Sequence, residues 1–360
     1  MKVGVYVNRH GERDIERKIY FDILKHNGID CALLGKTELK NVDSWGDYSH
    51  MVYKWGHTHD DHLVAKSLIP LLDSRADLKL FPNLATCWHY DDKIKQDLQM
   101  KLAKFPFVDS WLFYEKDEAL LWSASVEYPI VFKLANGSGS HNVFLIKSKK
   151  EAQRSIREMF GKGRPQDKLS FVERYKLLNG DIHKIYKYYR NKHFNFLRGL
   201  DSSQYWMVHK NYAYYQKFCA GNEYDIRVST AGLRAHAFKR FVRKGDFRAS
   251  GSRTWDINPD RIDMRCIRIA LDVSKFFGFQ AMAYDFVYDG DNPVIVEMSY
   301  AYGGAGYPDF MNGYWDSELN WHQGRFYPQH FELIDLLEDP DLKCPNIDLK
   351  TSYDGVTIIP

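Results

Sequence analysis

The chain has 360 residues, 44% hydrophobic and 27% charged, enough for two or three packed subdomains of ordinary globular composition. Aromatics at 15% exclude a globally disordered chain, and 50 Lys plus Arg against 47 Asp plus Glu leave a formal charge of +3, too balanced to indicate a nucleic-acid partner. No window approaches the roughly 18 apolar residues of a membrane span, and the N-terminal apolar run breaks at Asn8 and Arg9, so a cytosolic (cytoplasmic) protein is expected.

In chain order, residues 2–7 form a Val-rich run, 15–26 carry apolar residues at helical spacing, and 29–34 read as a second strand. The alternation continues with a strand at 49–54, a helix at 62–72 and a strand at 78–81, an open α/β unit over 1–90. A helix follows at 91–102, stopped by Pro106, then strands at 128–134 and 143–146 around a Gly/Ser loop, and a helix at 149–160. The Tyr- and Lys-rich stretch to about 215 has no clear period. Strands are expected at 224–230 and 234–242, a helix at 262–277, and a hairpin of 281–288 with 294–298 across DGDNP. The expected domains are 1–90, a central subdomain 91–215 with an insertion, a C-terminal subdomain 216–310, and an aromatic-rich tail 311–360.

Three constellations carry chemistry. Lys133 precedes a loop containing Gly137, Ser138, Gly139 and Ser140, whose small residues would let backbone N–H groups approach a polyphosphate; a plain hairpin turn is the alternative. Asp285 and Glu297 lie on the two strands of the hairpin, where both carboxylates can face one hard cation such as Mg²⁺; pairing with a nearby Arg or Lys is the alternative. Arg227, Arg240 and Arg248 follow in YDIRV, FKRF and FRASGS, and planar guanidinium groups suit charge developing on a transferring phosphoryl group. The five cysteines are odd in number, scattered and without C-x-x-C, which fits reduced structural thiols.

Taken together, DDK at 91–93, YPIVFKLANGSGSHNV at 128–143, YQKFCAGNEYDIRV at 215–228, FKRFVRKGDFRASGS at 238–252 and AYDFVYDGDNPVIVEMSY at 283–300 resemble the ATP-grasp superfamily. The likeness is to ligases of the glutathione synthetase and ribosomal-protein glutamate ligase type, over about residues 80–305. It implies an α/β fold with α+β subdomains: an ATP-grasp fold behind a Rossmann-like N-terminal domain. It also implies an ADP-forming carboxylate-amine ligase that uses ATP and Mg²⁺.

By the same resemblance Lys93 and Lys133 contact the nucleotide phosphates beneath the 137–143 loop. Gln216, Lys217, Phe218 and Cys219 form the hinge facing adenine, with Glu223 a looser candidate for the ribose. Arg227, Arg240 and Arg248 hold the γ-phosphate and acyl phosphate, and Asp285, Glu297 and Ser299 form the metal site. Ser299 stands where the family usually has Asn, Lys217 where Glu is common, and FVERY at 171–175 offers an alternative hinge.

The substrates implied are a carboxylate, on an amino acid, a peptide or a cell-surface glycan, and an amine. The glycan option comes from the likeness of GYWDSELNWH to tails in surface-polysaccharide pathways. Oligomeric state stays open, a homodimer being one option. A rival reading takes His57, His59, Asp61 and His62 as the start of a zinc hydrolase site. Another is a nucleotide-binding protein with weakened catalysis. The basic aromatic run 183–198 reads as a lid or insertion.

Overall fold

A parallel four-stranded sheet opens the fold, in the order β2-β1-β3-β4, from β1 (Lys2–Val7), β2 (Asp30–Leu33), β3 (His50–Lys54) and β4 (Lys79–Phe81). Helices α1 (Glu12–His26), α2 (Lys36–Lys40), α3 (His59–Asp73) and α4 (Leu84–Cys87) connect and follow these strands. β3 is buried along its whole length, as a central parallel strand covered on both faces must be. The computed structural model describes residues 1–7, 12–56, 59–137, 142–165, 181–197, 208–243, 248–249, 254–302, 311–347 and 357–359.

Helix α5 (Lys93–Ala103) starts where the Asp92 carboxylate caps the N–H groups of Ile94 and Lys95. It leads to a smaller antiparallel sheet, ordered β5-β10-β6-β7, of β5 (Ser110–Phe113), β6 (Ile130–Lys133), β7 (Val143–Ile146) and β10 (Ala213–Lys217). α6 (Lys116–Trp122) and α7 (Lys149–Met159) complete a core of its own around Phe132, Ile156 and Tyr215. β8 (Arg164–Pro165) pairs with β9 (Val208–His209), and α8 (Ile182–Leu197) occupies the stretch where the sequence showed no period.

The largest sheet runs β15-β14-β11-β12-β13-β18. Its strands are β11 (Tyr224–Ala231), β12 (Arg234–Phe241), β13 (Thr254–Asp256), β14 (Ala281–Asp289), β15 (Asn292–Ser299) and β18 (Thr357–Ile359), with β16 (Gly313–Trp315) pairing β12 and β17 (Trp321–Gln323) pairing β16. Strand alternation sorts its two faces. Ile226, Val228, Tyr284 and Phe286 are fully buried on the face covered by α9 (Met264–Phe277), while Asp225, Arg227 and Asp285 project from the other. The β14–β15 hairpin closes across Gly290 and Asp291, with Gly290 at φ +61 and Asp289 paired to Asn292. Pro293 is tolerated because β15 lies at the sheet edge.

Residues 311–347 pack against the rest of the chain. α10 (Pro328–Leu337) lies against α1, and Trp315 and Tyr327 are buried. Buried Lys54 pairs with Glu16 and approaches Glu332, to which the Tyr20 hydroxyl also donates, so a satisfied polar knot joins α10 to the first sheet. Trp315, Tyr327 and Phe331 thus serve packing, while Tyr302, ahead of this segment, is buried and also borders the cavity described next.

Candidate active site

Between the small antiparallel sheet and the polar face of the large one lies a cavity of about 550 Å³. Lys93, Lys133, Gln216, Lys217, Phe218, Cys219, Arg227, Arg240, Arg248, Asp285, Glu297 and Ser299 all line it. Period-two geometry explains much of this. On β6, Val131 and Lys133 face the cavity while Ile130 and Phe132 enter the small core, and on β10 Gln216 faces the cavity while Tyr215 enters that core.

On the large sheet Arg227, Asp285 and Glu297 occupy one cross-strand row, Arg227 paired with Asp285 and Asp285 with Glu297. Arg227 grips Asp285 through two bonds, Nε to Oδ1 at 2.7 Å and Nη2 to Oδ2 at 2.9 Å. Arg240 makes the same fork with Asp225, at 2.7 and 2.6 Å, and its Nη2 also lies 2.8 Å from Asp285 Oδ2. Burial opposes ionisation of Asp285, but Arg227 and Arg240 outweigh it and hold the carboxyl well below its usual range. Asp225 is the member of this network that sequence reasoning left out, although it alternates with Arg227 on the same strand. Lys239 turns to the opposite face, over the Tyr224 ring.

A bulge between Asp285 and Phe286 sets Val296 out of the β14–β15 register, and Val296 O accepts Lys133 Nζ at 3.3 Å. Burial pushes the Lys133 ammonium down to about 8, against the pull of Glu297. Lys93 Nζ donates to Gly137 O at 2.6 Å and lies 3.5 Å from Glu297 Oε1. Two ammonium groups and a carboxylate therefore meet at one end of the cavity. Gly137, at φ +119, is buried beside it; Ser138, Gly139 and Ser140 lie outside the described residues.

At residues 216–219 Gln216 Nε2 donates to Tyr214 OH at 2.8 Å, Lys217 Nζ to Asp289 Oδ2 at 2.6 Å, and burial pushes the Cys219 thiol up to about 11. Asn222, also missed from sequence, clamps this turn by donating to Cys219 O and Tyr288 O and accepting the Tyr288 N–H. Glu223 sits in an adjoining groove of about 350 Å³ with Tyr288 and Asp291. The alternative hinge at 171–175 lies outside the described residues.

The donor set fits a magnesium nucleotide. Among the described residues Asp285 Oδ1 accepts one N–H, leaving a lone pair, and Glu297 is a third exposed to the cavity. One or two carboxylates suffice for Mg²⁺ when phosphates and water complete its shell. Among the described residues no three His, Cys, Asp or Glu side chains converge as a metal cluster. Of the rival zinc string, His57 and the His59 side chain lie outside the described residues, Asp61 is buried, and His62 faces Trp55 and Asp91. No helix among the described residues is long and apolar enough to cross a membrane.

No protein-family model and no curated protein matches the sequence. Solved structures do. The biotin carboxylase domain of the Hydrogenobacter thermophilus 2-oxoglutarate carboxylase, solved with MgADP, ADP and bicarbonate, aligns at 12% identity over 94% of this chain and 70% of its own, with a TM-score of 0.58. The ATP-grasp ligase PsnB with a minimal precursor aligns at 12% identity over 93% and 97%, TM-score 0.56. The D-alanine–D-alanine ligase of Bacillus anthracis aligns at 12% identity over 84% and 88%, TM-score 0.51. The chain has the ATP-grasp fold.

Proposed function

We propose that the protein is an ATP- and Mg²⁺-dependent carboxylate-amine ligase releasing ADP. The observation that carries this reading is the cavity itself. Buried Lys93, bonded to Gly137, and Lys133 stand on one wall, and the Arg227–Asp285–Glu297 row lies on the other. Such a site offers little covalent chemistry and much electrostatic positioning, which is what phosphoryl transfer requires.

In this reading Lys93 and Lys133 neutralise the phosphates, the 216–219 turn receives adenine and Glu223 borders the ribose. Glu297, Asp285 and Ser299 hold Mg²⁺, which would screen charge on the transferred group. Arg248 meets that group directly. Arg227 and Arg240 orient Asp285 and add positive potential. A substrate carboxylate takes the γ-phosphoryl group, and an amine then displaces phosphate to give the amide. The carboxylate belongs to an amino acid, a peptide or a glycan uronic acid, and the enzyme works in the cytoplasm, as a homodimer if it assembles at all. We place the domains at 1–90, 91–215, 216–310 and 311–360.

The test is ADP release from MgATP against panels of carboxylates and amines. Release that needs both partners supports the ligase. Tight nucleotide binding with no release under any pair supports the second reading, a nucleotide-binding protein with weakened catalysis, which the double arginine grip on Asp285 favours.

A further inference from the structure

Asp91 stands at φ +53 just ahead of α5 and borders the cavity. Its Oδ1 accepts the Gly137 N–H at 2.8 Å and its carbonyl accepts Asn136 Nδ2 at 2.6 Å. Two residues on, the Lys93 N–H donates to Ala135 O at 2.9 Å and Lys93 Nζ to Gly137 O. Residues 135–137, the described root of the small-residue loop, are thus tied to the 91–93 segment by both main chain and side chain.

On its other side Asp91 Oδ2 lies 3.6 Å from His62 Nε2. His62 belongs to α3, beside the first sheet, where the Trp55 indole N–H donates to His62 Nδ1 at 3.4 Å and the Tyr90 ring packs 5.3 Å away, centroid to centroid. Nδ1 accepts from Trp55, and Nε2 is the atom that faces Asp91, within ion-pair distance but just beyond hydrogen-bond reach. The part of the His-rich string that zinc chemistry would have claimed is instead turned toward the loop root.

We infer that Asp91 and His62 are positioning residues for phosphate binding. Asp91 sets the root of the loop and the direction of Lys93, and His62 holds Asp91 from the N-terminal unit. The inference rests on the nucleotide reading above. It makes the N-terminal unit a determinant of how tightly phosphates, but not adenosine, are held.

The test is calorimetric titration of the full chain with the Mg²⁺ complex of a nonhydrolysable ATP analogue, and separately with adenosine. Asp91→Gly keeps the positive φ without strain and deletes the acceptor. It should weaken the analogue by about tenfold, the scale of one hydrogen bond to a fixed group, with adenosine unchanged. Asp91→Asn tolerates the same φ and offers an amide oxygen to Gly137, so it should recover most of that loss. His62→Phe should weaken the analogue in the parent chain and add nothing to Asp91→Gly.

Equal losses for adenosine and analogue, undiminished binding by Asp91→Gly, or additive effects of the two substitutions would each overturn the inference while leaving the nucleotide reading intact. If Asp91→Gly does not fold, His62→Phe and Asp91→Asn carry the same comparison. A parent chain that binds neither probe overturns both readings together.

Discussion

Arg227 stands directly across β11 and β14 from Asp285 and holds it in a two-pronged bond, while the next strand sets Glu297 opposite the same aspartate. Asp285 is therefore both the anchor of two arginines and the neighbour of the cavity's exposed carboxylate.

Removing that anchor leaves Arg227 and Arg240 without one carboxylate in a region where Asp285 is only 8% exposed. Asp285→Ala should lower unfolding free energy by about 3 kcal/mol, the scale of breaking a buried pair from one side. Urea denaturation reads this directly, and a loss below about 1 kcal/mol would show that the pair is hydrated and weak.

Arg248→Ala and Glu297→Gln should behave differently, costing turnover far more than stability, because both face the cavity rather than the core. The comparison is ADP production against thermal midpoint for each variant. Normal ADP production by either removes that residue from the site.

Lys133 gives a pH dependence of known sign. Its folded-state pKa, near 8, lies below the ordinary lysine value, so the unfolded chain binds more protons between the two and this group's stability contribution rises with pH across that window. Phosphate binding needs the protonated amine, so affinity for a nonhydrolysable ATP analogue should fall as pH rises through about 8. Lys133→Arg, which stays charged, should flatten that fall; an unchanged profile would mean another group titrates.

Thermal unfolding separates the nucleotide reading from the zinc reading. Mg²⁺ with a nonhydrolysable ATP analogue at 100 times Kd should add about 2.7 kcal/mol and raise the midpoint by several degrees. Stoichiometric zinc in the purified protein, with no such rise, would shift the assignment to His57, His59 and His62.

The C-terminal packing can be checked at Gly313. A Cβ there would lie 2.2 Å from the Trp321 ring and 2.6 Å from His322 O, so the neighbours must move. Gly313→Ala should cost about 1–3 kcal/mol, the usual range for overpacking. A neutral result would mean that β16 and β17 separate easily.

Hydrophobic periodicity carried many of the regular elements, although β5, α6, β10, β16, β17 and α10 were not expected from it. The Val-rich first strand, the helix at 149–159 with its buried Ala152, Ile156 and Met159, and the 281–299 hairpin are each specified by neighbours in sequence. Asp285 and Glu297 were legible for a related reason, since the hairpin puts both carboxylates on one face, whereas Lys93, the 216–219 turn and the roles of the arginines came from the family resemblance. What local pattern could not supply was pairing across distance. That Arg240 shares Asp285 with Arg227, that the Val296 carbonyl meets Lys133, that His62 faces Asp91, and that α10 closes on α1 through Lys54 and Glu332 are facts of strand register and helix packing. Such contacts join residues as many as 316 positions apart, as between Asn27 and Lys343. Their geometry depends on how whole sheets stack, a constraint that a window of ten or twenty residues does not contain.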